Sequence, residues 1–295
     1  MPTFSAQINE LISLLSSDRA STDRLSKLIL QNYTLSLDIL RRANSVLYNR
    51  SRNRVSSVSR AIALMGVEVV RSLAMSMVFF EHFQKKSRGA GELMLYSLVT
   101  ANISRNLALI LRVRKNEEIY LCGMFRNLGE VLIACYLPQK YEKIQQEMKK
   151  RELSPYEAAL KVIYFSYEDL GKAMASHWDL PKIVSWVMVP PDLRSAPKQG
   201  QPEDMVARIV QFSLESVGAL FRGELAKAPR ALDLLMKRSK NWLTLQPEEV
   251  QGLLLEAILD TQDAYSALDI SPESLRRCQE VQESIRQHRN QNPKK

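Results

Sequence analysis

Val99-Thr100-Ala101-Asn102-Ile103-Ser104-Arg105-Asn106-Leu107-Ala108-Leu109-Ile110-Leu111 sets apolar side chains at positions 99, 103, 107, 110 and 111. Recurrence every three to four residues gathers them on one side of an α-helix, whereas a half-buried strand would alternate with period two. The same spacing continues outward along the chain. Val206, Val210, Leu214, Val217 and Phe221 make a second stripe, and Val250, Leu254, Ala257 and Ile258 a third. Val67–Phe83 is apolar almost all round and predicts a buried central helix. No segment sustains alternation, and no Asn-Gly or Asp-Gly pair marks a hairpin. The expected fold is all-α.

Start and stop signals agree with that expectation. Ser154-Pro155-Tyr156-Glu157 combines a capping box with proline at the first helical position, where a missing N–H costs nothing. Gln246-Pro247-Glu248 and Ser271-Pro272-Glu273 read as similar entries, and Gly66 is placed to end one helix before another begins at Val67. Four prolines and Gly200 crowd the stretch Val189–Asp204. They predict a connector over 191–204, between a helical domain at 1–190 and a helical C-terminal region at 205–295 with a basic, frayed tail.

Composition narrows the class. Hydrophobic residues make up 45% of the 295, enough for a substantial core. No uninterrupted apolar run approaches the roughly 18 residues that span a bilayer; Ser72–Phe80 is the longest candidate, so no membrane span is expected. Met1–Ala20 has no basic start and carries Glu10 and Asp18 inside its apolar pattern, so it reads as an amphipathic helix and not as a signal peptide. Cys122, Cys135 and Cys278 are odd in number and widely spaced, which suits buried thiols in a reducing, cytoplasmic compartment.

Charge is uneven. Residues 1–200 hold 28 Lys and Arg against 18 Asp and Glu, net +10, and residues 201–295 hold 13 against 14. Between Arg41 and Arg60 lie Arg41, Arg42, Arg50, Arg52, Arg54 and Arg60 with no acidic residue. This window is a solvated basic turn or an anion or partner patch; arginine's planar fork favours bidentate contact. Aromatic residues are not interleaved with it, which makes nucleic acid an unlikely partner class.

Four segments in order resemble the HDOD (HD-related output domain) family, a bacterial signalling branch of the HD phosphohydrolase superfamily. They are Ile39-Leu40-Arg41-Arg42-Ala43-Asn44-Ser45, the Ser-rich entry and Ala-Ile-x-Leu-x-Gly helix over Val55–Gly66, Gly123-Met124-Phe125-Arg126-Asn127-Leu128-Gly129-Glu130, and Glu168-Asp169-Leu170-Gly171 through Trp178-Asp179-Leu180-Pro181. The resemblance covers residues 2 to about 190 and implies a compact multi-helix HD-like domain. The third segment resembles the one that carries the adjacent His-Asp metal ligands of the superfamily, but holds Arg126 and Asn127. Tyr96 and Tyr167 stand at the other matched ligand positions.

A guanidinium has no lone pair to offer a metal, and a carboxamide is a poor substitute for a bridging carboxylate. The chain has only three histidines, His82, His177 and His288, and no His-Asp pair. The expectation is therefore a scaffold with no metal, no cofactor and no catalytic residue. Its former metal pocket comprises Tyr96, Arg126, Asn127, Glu130 and Tyr167, with Glu130 in reach of Arg126 four residues on along one helix. Such a module would signal by binding a regulatory protein. The alternative is a sensor that binds a nucleotide or cyclic dinucleotide through Arg126 or the Arg50–Arg54 loop, and a phosphohydrolase is the weakest reading.

Overall fold

The computed structural model describes residues 22–44, 48–49, 54–67, 69–70, 90–114, 116–177, 180–261 and 272–291. Among them there are fourteen α-helices and no strand. They are α1 (Thr22–Leu30), α2 (Tyr33–Ala43), α3 (Val58–Met65), α4 (Ala90–Ile110), α5 (Asn116–Phe125), α6 (Leu128–Tyr136) and α7 (Pro138–Arg151). The series continues with α8 (Pro155–Ile163), α9 (Tyr167–His177), α10 (Lys182–Val187), α11 (Pro202–Val217), α12 (Ala228–Ser239), α13 (Pro247–Asp260) and α14 (Pro272–Gln291). A π-helical turn, Gly218–Arg222, follows α11 directly.

The entries and exits are those the local chemistry dictates. Ser154 and Gln246 both form capping boxes, with Glu157 and Glu249 as the reciprocal acceptors. Gly66 closes α3 at φ +85°, a backbone region L-residues avoid. The Asn44 carboxamide exchanges hydrogen bonds with the backbone of Val55, donating to its carbonyl at 2.9 Å and accepting from its N–H at 2.8 Å. That clip, together with Glu117 Oε1 accepting from the N–H groups of Val58 and Ser59, fixes the entry to α3. Here the Asn-Ser helix and the Ser-rich segment are joined by side chain to backbone.

Helix α4 organises the rest, because its two sides belong to different cores. Leu93, Leu98 and Ala101 pack into a cluster with Ile39, Ile62, Phe125, Leu128 and Val187. Leu95, Val99, Ile103 and Leu107 pack into a second with Phe212, Trp242, Leu254 and Ile258 from the C-terminal helices. A third cluster, including Ile133, Ile144, Ala159 and Tyr167, joins α6 to α9. At 21 residues α4 is long and apolar enough to cross a bilayer, and it is mostly buried inside the protein. Polar side chains punctuate it, so it contains no long uninterrupted apolar run. Three of them are neutralised locally: Ser97, Thr100 and Ser104 each donate to the carbonyl four residues back, all at 2.7 Å.

Most of the predicted central helix Val67–Phe83, the expected N-terminal helix Met1–Ala20, Arg50, Arg52 and His82 lie outside the described residues. Val70 is fully buried in the first core.

Two glycines of the segment 123–130 set helix spacing. A Cβ on Gly123 would stand 2.8 Å from Ala101 Cα, where α5 crosses α4. One on Gly129 would stand 1.9 Å from the Tyr167 carbonyl oxygen, where α6 meets the start of α9. These are backbone-to-backbone approaches that only glycine permits.

The proline-rich connector takes most of its side-chain hydrogen bonds from one residue. Arg208 of α11 is 1% exposed. It donates to Asp204 Oδ2 at 2.7 Å, to the carbonyls of Asp192, Ser195 and Ala196 at 2.8, 2.9 and 3.1 Å, and to Ser195 Oγ at 2.9 Å. Asp204 Oδ2 also accepts from Lys198 N–H at 3.1 Å. A connector that buries few apolar groups is held instead by satisfying its carbonyls on a buried guanidinium.

Candidate functional site

Arg126 and Asn127 fall in the break between α5, which ends at Phe125, and α6, which starts at Leu128. The expected Arg126–Glu130 pair depended on one continuous helix and does not form. Arg126, 5% exposed, donates through Nη2 to Gln211 Oε1 of α11 at 3.0 Å. Its Nη1 stands 3.9 Å from Glu168 of α9, at the outer limit of an ion pair. Burial pulls the guanidinium pKa down from its usual value, and the charges of Glu168 and Glu215 oppose that.

Glu130 turns instead to the C-terminal region. Its two carboxylate oxygens accept from Arg222 Nη1 and Nη2 at 3.0 and 2.9 Å, a bidentate fork, and Tyr141 donates to Oε1 at 3.3 Å. The Arg222 guanidinium also lies 5.6 Å from the Tyr96 ring centroid, and the Tyr96 ring is tilted against Phe221 at 5.3 Å. The π turn places both Phe221 and Arg222 here; such turns shift the phase of the side chains that follow. Burial acts against the Arg222 charge, but the Glu130 carboxylate outweighs it and the pKa is raised overall.

The phenols around this pair are all shifted upward. Burial, with Glu92 adding to it, moves Tyr96 up to about 12. Burial and Glu130 likewise raise Tyr141 and Tyr167. At neutral pH each is a protonated hydroxyl, and none serves as a general base. Asn127 lies against α4, its Oδ1 2.7 Å from Ser97 Oγ. Tyr96, Glu130 and Tyr167 are thus gathered around Arg222, while Arg126 reaches to α9 and α11.

Arg222 was not marked by any local signal, because its partner is 92 residues away in sequence. A double-mutant cycle on Glu130→Gln and Arg222→Ala is expected to give a coupling of roughly 1–2 kcal/mol in urea melts. The Arg222 side chain keeps 33% of its exposure, which holds the figure below that of a fully enclosed pair. Additive single effects would show that the fork contributes no stability.

Three donors in this region meet no protein acceptor: Arg126 Nε, Asn127 Nδ2 and the Tyr167 hydroxyl. Each belongs to a side chain at most 7% exposed. The region has therefore kept a polar character that apolar packing would have removed.

The arginine-rich window separates in space. Arg41 and Arg42 both pair with Asp38 on α2, at 2.6 and 2.5 Å. Arg54 and Arg60 instead line a cleft of about 1030 Å³, together with Arg114, Lys182 and Trp186. Arg54 donates to the carbonyl of Leu180. Arg114, Lys182 and Trp186 come from the α4–α5 turn and α10, and sequence spacing gave no reason to group them with Arg60.

Among the described residues, no three or more His, Cys, Asp or Glu side chains gather in a group able to hold a metal ion. Cys122 and Cys278 are buried thiols, Cys135 is half-buried, and none is in a disulfide. His177 ends α9 on the surface.

The model of the HDOD domain matches residues 1–189. The chain belongs to the HDOD family. An uncharacterised protein of Treponema pallidum (strain Nichols) is 21% identical over 210 residues, 68% of this chain and 40% of that protein. The uncharacterised protein YuxH of Bacillus subtilis (strain 168) is 26% identical over 172 residues, 58% of this chain and 41% of that protein. The match thus spans about two fifths of the length of these relatives.

Among solved structures, the MmoQ response regulator of Methylococcus capsulatus has the same fold with a TM-score of 0.67 at 18% identity, over 86% of this chain and 97% of that one. A virulence factor of Campylobacter jejuni superposes with a TM-score of 0.60 at 15% identity, over 88% and 96%. The HDOD helices here run from α1 to α10, and the Glu130–Arg222 pair joins them to a segment outside the family match.

Proposed function

We propose that the chain is a non-catalytic bacterial signal-transduction module that acts by binding a regulatory protein partner. The observation that carries this reading is the Glu130–Arg222 fork. An intramolecular cation is fixed on the one buried carboxylate of the segment where metal-dependent superfamily members resemble it with ligands. Tyr96 and Tyr167 lie around it, and Arg126 and Asn127 occupy the adjoining break between α5 and α6 in place of metal-binding groups. Membership of the HDOD family supports a signalling role, and the fold shared with a response regulator agrees with it. A cytoplasmic location fits free, mostly buried thiols.

Affinity capture from the native cytoplasm tests the reading: a specific regulatory protein should be retained, and recovery of background proteins alone counts against it. Purified protein is expected to carry well under one equivalent of transition metal by elemental analysis. A stoichiometric content that survives chelator washing would reinstate a metal-dependent phosphohydrolase.

A second reading, a sensor of a small phosphorylated ligand, is favoured by the basic cleft. It is less favoured at Arg126, which is only 5% exposed and already bonded to Gln211.

A further inference from the structure

The cleft between α3, α5, α10 and α11 combines cationic, aromatic and acidic side chains on one lining. Arg60, Arg114 and Lys182 line it, and among the described residues none of the three forms an ion pair. Trp186 lines it too, with 48% of its surface exposed. Glu203, at the start of α11, and Glu118, on α5, lie on the same lining as the cations. The volume, about 1030 Å³, is at the upper end of small-ligand sites, and the fixed helices around it make it a preformed concavity.

Each component selects against one class of occupant. Unpaired guanidinium and ammonium groups ask for an anion. An exposed indole face asks for a planar ring or an apolar anchor. The two glutamates disfavour a uniformly acidic peptide, because its carboxylates would face like charges. A ligand with phosphates at one end, a flat ring, and N–H donors on the ring edge satisfies all three.

We infer that this cleft binds a purine nucleotide carrying more than one phosphate. Arg60, Arg114 and Lys182 hold the phosphates, Trp186 stacks on the base, and Glu203 or Glu118 accepts from its amino edge. The inference rests on the small-ligand reading above and is independent of the protein partner. It assigns no bond-making step: binding alone is proposed.

The test uses the full chain with ATP, GTP and sodium tripolyphosphate, each at about 1 mM, in thermal melts, since a ligand that binds only the folded state raises Tm by mass action. One of the two nucleotides should raise Tm by several degrees and tripolyphosphate by clearly less. Trp186→Ala should weaken the responding nucleotide by roughly tenfold or more in titration calorimetry while leaving the tripolyphosphate response in place. Arg114→Ala should weaken both. Arg114 and Trp186 are exposed, so the ligand-free melts of these variants should match the parent and show that they fold.

No shift with either nucleotide overturns the proposal. So does a nucleotide response unchanged by Trp186→Ala. An equal response to nucleotides and tripolyphosphate overturns the purine assignment, while retaining the cleft as an anion site and so leaving the sensor reading intact.

Discussion

Gly129→Ala should lower the stability of the protein by roughly 3 kcal/mol or more, the upper end of what an overpacked methyl group costs. The added Cβ would stand 1.9 Å from the Tyr167 carbonyl oxygen and 2.8 Å from its carbonyl carbon. Neither is the tip of a side chain that can rotate away. Relief requires α6 to separate from α9, which would disturb the third core and the Tyr167 ring beside Glu130. Gly252→Ala is the matching control. It lies inside α13 and its Cβ would meet nothing within 4 Å. That variant should gain roughly 0.5–1 kcal/mol from helix propensity alone. Urea melts on the two variants should move in opposite directions, and a Gly129→Ala midpoint within error of the parent would refute the close-approach account.

Arg208→Ala should cost about 3–5 kcal/mol, the usual penalty for breaking a buried ion pair from one side. Five hydrogen bonds vanish together, Asp204 keeps a buried charge without its cation, and the carbonyls of Asp192, Ser195 and Ala196 lose their donor. Arg208→Met retains much of the stem's packing, so its loss reports the polar part; it should remain the larger share.

The pair also predicts an acid dependence. Burial raises the Asp204 pKa, but the bonds from Arg208 and Lys198 more than offset this, and the net shift is downward from 3.8. A folded-state pKa below the unfolded one means the contribution is complete above about pH 3.8 and is lost as pH falls through the folded value. Asp204→Asn should remove that component from the acid limb. A global melt of Arg208→Ala within error of the parent would contradict the predicted cost of breaking the pair.

The helical class was legible because burial is periodic: Val99, Ile103 and Leu107 are all fully buried, as their spacing required. The capping boxes at Ser154 and Gln246 were legible because a cap is a four-residue event. Arg126 and Asn127 were recognisable as the critical positions, yet their geometry was misread. Periodicity carried helix across Phe125–Leu128, where the chain breaks and turns the Arg126 side chain toward Gln211. Glu130 and Arg222 could not be matched from a single sequence, since nothing in either neighbourhood refers to the other. The basic window shows the same limit. Neighbouring arginines are divided by element: Arg41 and Arg42 on α2 pair with Asp38, whereas Arg54, before α3, and Arg60, on α3, line the cleft.

The fork between Glu130 and Arg222 has an evolutionary corollary. One member lies inside the stretch shared by the family, and the other lies beyond residue 189 in the part that the family model leaves unmatched. Loss of either member leaves the other without its partner, so the two positions are coupled across the boundary of the family match. A chain with glutamate at 130 and different C-terminal helices would leave that carboxylate buried without this cation, at an energetic cost. Covariation between 130 and 222 would accordingly sort the family into members closed by their own C-terminal segment, as here, and members that fill the same position by other means.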